Sequence, residues 1–157
     1  MNSEKKSILE HYQKSIEWVN NLSNLSEKQW RMPIATNKWT VAEVIGHLIP
    51  WDEFILMNRI PYFFEATNLP KSPEVEAINQ KASVDSKERE KEETITIFTH
   101  FRREIISALE KFEDAKWTKE IVMNQSTFSL YHYFSGLVEH DIHHFQQIHH
   151  AIGVSFN

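Results

Sequence analysis

The sequence predicts an all-α protein, an antiparallel four-helix bundle with a long crossing segment between the second and third helices. Three observations carry this expectation. Only three Gly and five Pro occur in 157 residues. Alternating apolar and polar runs are scarce, and four long segments repeat apolar residues at three- and four-residue steps, the period of a helix that buries one face. A chain of this length buries roughly two-thirds or more of its unfolded surface, and 12% aromatic residues, ten of them Phe and five Trp, give it a core to build. Residues 1–157 are read as one domain.

Each element follows from local signals. Ser3 caps a first helix that presents Ile8, Leu9, Tyr12, Ile16, Val19 and Leu22 before Asn20 to Asn24 end it. Ser26 and Gln29 have the spacing of a capping box for a short helical turn, and a loop follows around Pro33. The second helix starts at Thr40 with Glu43 three residues on, again a capping box, ahead of Val44, Ile45 and Leu48. Pro50 lacks an N–H and crowds the Gly46 carbonyl, which predicts a kink before the helix continues through Trp51 to about Phe64. Pro70, Pro73 and a short helical candidate at 73–82 make residues 65–84 the crossing segment. The third helix opens in the charged run 86–93, a solvated start, and turns amphipathic at Ile97, Phe98, Phe101, Ile105, Leu109 and Phe112. After a connection containing Trp117, the fourth starts near Ser126 or Ser129 and runs to Ile152, with Gly153 as its C-cap.

Composition removes several function classes. Without Cys there is no disulfide framework, thiolate metal site or cysteine nucleophile, so any metal is held by imidazole or carboxylate. A net charge of -5, from 22 acidic and 17 basic residues with no basic cluster, argues against nucleic acid as a partner. No stretch approaches the ~20 apolar residues of a membrane span, and the charged start MNSEKKSILEHYQKS has no signal-peptide core, so a soluble cytoplasmic protein is expected.

The nine histidines are the informative excess. With His144 at zero on the fourth helix and about 100° per residue, Tyr133, Leu137, Ile148 and Ala151 fall within about 40° of it. His144 is therefore expected to face the core. His140 lies about 40° and Gln147 about 60° to one side, while His143 sits on the flank and His132, His149 and His150 face away. Two imidazoles one turn apart on a single face form either a metal-binding pair or a buried hydrogen-bonded pair. His47 shares a face of the second helix with Val44, Trp51 and Phe54, and facing helices of a bundle can bring such residues together. Three imidazoles and a water make an open tetrahedral site. Asp141, about 60° to the other side of His144, and Glu43, one turn before His47, are candidates to accept the second ring N–H of a ligand histidine. Trp51, Phe54, Tyr133 and Gln147 are candidate pocket walls. Asp52, Glu53 and Glu139 are expected at the surface.

The segment KWTVAEVIGHL (38–48), with its Trp and hydroxyl residue ahead of Glu and His, and the segment EHDIHHFQQI (139–148), with His-x-x-x-His followed by Gln and an apolar residue, resemble the DinB-like superfamily. These are metal-dependent four-helix bundles that include thiol S-transferases of the YfiT type, and the layout agrees over nearly the whole chain. The resemblance implies the ligand role for His47, His140 and His144, a divalent ion such as zinc or nickel, a small-molecule substrate, for some members a low-molecular-weight thiol, and a homodimer. The expected activity is a metal-dependent thiol S-transfer or hydrolysis of a small substrate. A non-catalytic bundle that binds a metal or small molecule, or one whose histidines only hydrogen-bond, is the alternative.

Overall fold

The computed structural model describes residues 1–65, 69–123 and 125–156. Among them, helix α1 spans Ser3–Asn21, α2 Glu27–Trp30, α3 Val41–Asn58, α4 Val75–Glu88, α5 Lys91–Glu110 and α6 Leu130–Ile152. Strands β1 (Ile121–Met123) and β2 (Ser126–Phe128) form a small antiparallel hairpin that pairs Ile121 with Phe128 and Met123 with Ser126. None of the described helices is long and apolar enough to cross a membrane.

The caps that sequence places are met with small corrections. Asn2, one residue before Ser3, caps α1 by accepting from the Glu4 and Lys5 amides. Ser26 with Gln29 and Thr40 with Glu43 form complete capping boxes, and Gly153 ends α6 at a left-handed φ of 77°. Ser129 is the cap of α6, whereas Ser126 belongs to the hairpin. Helix α3 runs uninterrupted through Pro50 but stops at Asn58 rather than near Phe64, because Pro61 has no N–H to donate to the Met57 carbonyl and continue the ladder; a single 3₁₀ turn, Ile60–Tyr62, follows.

The charged run 86–93 is not one helix start. It spans the end of α4 and the beginning of α5, with Arg89 extended between them. The break is sealed from a distance: Arg31 donates through Nη1 to the Ser86 carbonyl at 2.7 Å and through Nη2 to the Arg89 carbonyl at 2.8 Å, so the last carbonyls of α4 have partners without a continuing helix. Helix α4 lies tight against α3. A Cβ built on Gly46 would stand 1.8 Å from Ser86 Oγ and 2.8 Å from Ser86 Cβ, so glycine is what permits the approach.

The core has two apolar clusters. One gathers Trp18, Leu22, Trp30, Val44, Ile45, Leu48, Phe98 and Phe145; the other Ile8, Tyr12, Ile55, Ile105, Leu109, Trp117, Leu130 and Phe134. Helices α1, α3, α5 and α6 each contribute residues to both clusters. Between the clusters each long helix contributes polar residues: His11 and Ser15 from α1, Asp52 from α3, Arg102 from α5 and Asp141 from α6, all buried. Asp52 thus lies in the interior, against the expectation of a surface residue. Its carboxylate receives Arg102 Nε at 2.7 Å, and a buried carboxylate with a guanidinium partner is tolerated where a lone one is not.

Candidate metal centre

His47 is held on α3 four residues after Glu43, and α4 and a short loop fix its surroundings. Residues 31–40 close on themselves through backbone bonds from Ile34 to Trp39 and from Val41 to Met32, with Asn37 at a left-handed φ of 60°. This delivers the Trp39 ring to the His47 ring at 4.9 Å between centroids. His47 is 2% exposed, and its Nδ1–H donates to the Val44 carbonyl, one turn back. The other ring nitrogen is thereby left as an acceptor directed away from its own helix.

His140 and His144 approach from α6, with ring centroids 5.9 Å and 4.7 Å from that of His47. Their two Nε2 atoms stand 3.2 Å apart. One ligand atom from each of the three residues can be chosen so that all lie within 4.8 Å of one another. Nitrogens held at ~2.0–2.1 Å by one tetrahedral ion are about 3.3 Å apart, so the Nε2 separation fits a shared ion without rearrangement. His144 Nδ1 bonds Gln147 Oε1 at 2.9 Å, and the N–H so anchored leaves the Nε2 lone pair for the centre.

Electrostatics keep the three imidazoles neutral. Burial, followed by repulsion from His144, lowers the His47 pKa from 6.5 to about 3. Burial is also the largest influence on His140 and His144 and lowers both. Neutral imidazole is the form that offers a lone pair.

Several sequence expectations change here. His140 is exposed and His144 half-buried, so the pair does not point into the core. The buried residues of α6 are Leu130, Phe134, Asp141, Phe145 and Ile148, and their mean direction lies about 60° from His144 on the Asp141 side. The histidines occupy the edge of the buried stripe. His143, His132 and His150 are exposed as expected, while His149 is half-buried.

Neither carboxylate candidate reaches a histidine of the centre. Asp141 accepts two bonds from Arg102, at 2.5 and 3.1 Å, and one from His11 Nε2 at 2.8 Å. Burial acts to raise its pKa, but Arg102 and then the His11 bond hold the carboxyl well below the usual carboxylate range. Glu43 serves its capping box and accepts from Ser83 of α4. The contacts that orient the rings come instead from the Val44 carbonyl and from Gln147, a residue expected from sequence as a cavity wall.

The side of the centre facing α4 opens into a cavity of about 390 Å³, lined by His47, His140, Trp51, Phe54, Tyr133 and Leu137 among others. Three of the predicted wall residues are therefore present. Asn79 of α4 fixes one of them by accepting from Trp51 Nε1 at 2.8 Å. Trp39 is the Trp of the 38–48 motif, whereas Asn79 carries no local sequence signal for this role. Arg102 and Asp52 do: each is a charge at a core position, Arg102 in the Phe98–Ile105–Leu109 stripe and Asp52 between Leu48 and Ile55.

Comparison with known proteins agrees with this layout. YfiT from Bacillus subtilis, described as a probable metal-dependent hydrolase with an unusual four-helix bundle topology, matches with a TM-score of 0.76 at 16% identity over 99% of this chain and 87% of that one. The mycothiol-dependent maleylpyruvate isomerase matches with a TM-score of 0.63 at 15% identity over 97% of this chain. This chain covers 61% of that enzyme's length. At these identities the likeness is one of fold, a four-helix bundle. No curated protein matches the chain. The family model of the DinB superfamily matches residues 9–148. The chain belongs to the DinB superfamily.

Proposed function

We propose that this DinB superfamily member is a divalent-metal-dependent enzyme acting on a small molecule, with His47, His140 and His144 as ligands and an open side that receives a thiol or a water. The observation that carries the reading is the convergence of three neutral imidazoles from two helices, two of them with Nε2 atoms 3.2 Å apart, beside a cavity. The description of YfiT as a probable metal-dependent hydrolase and the mycothiol dependence of the isomerase support it. Zinc and nickel suit an all-imidazole donor set.

The chemistry a divalent ion supplies in such a site is a lowered pKa for a bound thiol or water, giving thiolate or hydroxide near neutral pH. This chain's residues do the rest. The Val44 carbonyl and Gln147 fix the rings of His47 and His144. Trp51, Phe54 and Tyr133 wall the approach and exclude water from one side. With no Cys in the chain, the sulfur in a thiol transfer comes from the substrate. Thiol S-transfer and hydrolysis are thus the two reaction classes assigned to the site.

The test uses protein prepared without a His tag. Wild type is expected to carry one equivalent of a divalent ion and to accelerate reaction of a biological thiol with monobromobimane, or hydrolysis of a small ester, while His144→Ala has neither property. A metal-free wild type with no tight zinc or nickel binding, or equal rates in the two proteins, overturns the reading. Full metal occupancy without turnover on either substrate class makes the bundle a non-catalytic metal binder.

A further inference from the structure

The cavity beside the histidines has a second polar end that the metal chemistry does not use. Arg59, at the end of α3, is 4% exposed. Its Nη1 donates to the Asn58 carbonyl at 3.2 Å and to the Pro70 carbonyl, and its Nη2 donates to Ser72 Oγ at 3.0 Å. The guanidinium lies 4.6 Å from the centroid of Phe54. Every one of these partners is neutral. Arg102, equally buried, is bonded to two aspartates, whereas among the described residues no carboxylate pairs with Arg59. The carbonyls at a helix C-terminus amount to about half a negative charge. About half of the guanidinium charge is left without a counter-charge in a place where charges are otherwise paired.

Arg59 itself stands behind the cavity wall, but two of its contacts, Phe54 and Ser72, are part of that wall. Ser72, Phe54 and Tyr133 all line it, together with His47 and His140. Ser72 Oγ accepts from Arg59, which leaves the serine's own proton to donate outward. Tyr133 lines the same cavity, and burial raises the pKa of its phenol against the opposing influence of the Arg59 cation, so the hydroxyl keeps its proton. Two hydroxyl donors backed by a guanidinium, at one end of a cavity walled by Trp51, Phe54 and Leu137, make a receptor for an anion with an apolar body. A carboxylate matches the single cation. Among the described residues, no lysine lines the cavity to share the second charge of a phosphate.

We propose that Arg59, Ser72 and Tyr133 form a carboxylate-binding subsite of this cavity, so that the substrate is a small amphipathic acid held with its carboxylate here and its reactive group toward the histidines. The second half of that statement rests on the proposed metal centre; the subsite itself does not.

The test compares hexanoate with 1-hexanol by titration calorimetry. Zinc-loaded wild type is expected to bind the acid at least about ten-fold more tightly, the scale of a charge-assisted hydrogen-bonded contact. In Arg59→Met the ratio falls to near one while helicity and zinc content are retained. Ser72→Ala, on an exposed segment, lowers the ratio several-fold and serves where Arg59→Met does not fold. His144→Ala removes the ion: an acid preference that persists there and still depends on Arg59 or Ser72 supports the subsite even where the metal reading fails. A preference that survives Arg59→Met and Ser72→Ala but vanishes in His144→Ala belongs to the ion and overturns the subsite. Equal binding of acid and alcohol by wild type also overturns it.

Discussion

Two aspartates share one buried guanidinium, and their substitution to asparagine is expected to have unequal consequences. Asp141 accepts two bonds from Arg102 and one from His11, whereas Asp52 accepts one, from Arg102 Nε at 2.7 Å. With one firm cation between two carboxylates, burial raises the Asp52 pKa from 3.8 to about 6, and Arg102 only partly offsets it. Asp141 moves the other way. Between about pH 4 and 6 the native state therefore holds a proton on Asp52 that the unfolded chain has released. The stability this gives is fully present below the unfolded pKa of 3.8 and is lost as pH rises through about 6. Its size is about 3 kcal/mol, from roughly two pKa units. Asp52→Asn mimics the protonated form and keeps an acceptor for Arg102, so at pH 8 its stability is expected within about 1 kcal/mol of wild type or above it. Wild type gains up to about 3 kcal/mol on the variant as pH falls from 7 toward 4. Asp141→Asn leaves Arg102 underpaired and costs about 3–5 kcal/mol, a fall in Tm of roughly 10–15 °C at this chain length. Because the folded pKa of Asp141 is depressed, that deficit is present throughout pH 5–8. Thermal and urea melts followed by circular dichroism at pH 5 and pH 8 read both effects. Equal losses in the two variants, with no pH dependence in the wild type–Asp52→Asn difference, refute the assignment of unequal roles.

Three further outcomes follow from named contacts. Gln147→Leu frees the His144 ring from its 2.9 Å anchor and is expected to weaken zinc affinity by about 10–100-fold, read by competition with a chromogenic chelator; an unchanged affinity removes the anchoring role. His143→Ala is expected to keep full metal stoichiometry and His140→Ala to lose it, since His143 lies outside the converging trio; the reverse result would mean that the helical phase of α6 is misassigned. Gly46→Ala forces a Cβ against Ser86 and is expected to destabilise the protein by about 1–3 kcal/mol despite alanine's better helix propensity. Adding Ser86→Gly should recover most of that loss, and no recovery in thermal melts argues against the α3–α4 contact as its source.

What was legible in the sequence was what one helical turn decides. Both capping boxes, the Ser129 cap and the Gly153 terminus depend on atoms three or four residues apart. The break between α4 and α5 depends on Arg31, 55 residues from its Ser86 partner, and no window along the charged run contains that information. The error in the phase of α6 has a similar cause and a larger consequence. A stripe centred on Tyr133, Leu137, Ile148 and Ala151 leaves out Phe134 and Phe145, which lie about 80° and 100° from His144 on the Asp141 side and are buried, and so turns the apparent core direction about 60° toward the histidines. In the folded protein Arg102 and His11 make Asp141 an interior residue. The signal for this was present but spread over three helices: one cation and two anions at core positions, Arg102, Asp52 and Asp141, complementary only when read together. The phase of α6 also decides how the candidate centre can be reached. With Asp141 inward beside the buried Phe134 and Phe145, His144 sits at the edge of the buried stripe and His140 is exposed, opposite a His47 that is buried. A metal pair centred in the apolar stripe would be sealed from any substrate; at the edge of the stripe, His140 lines the cavity together with His47.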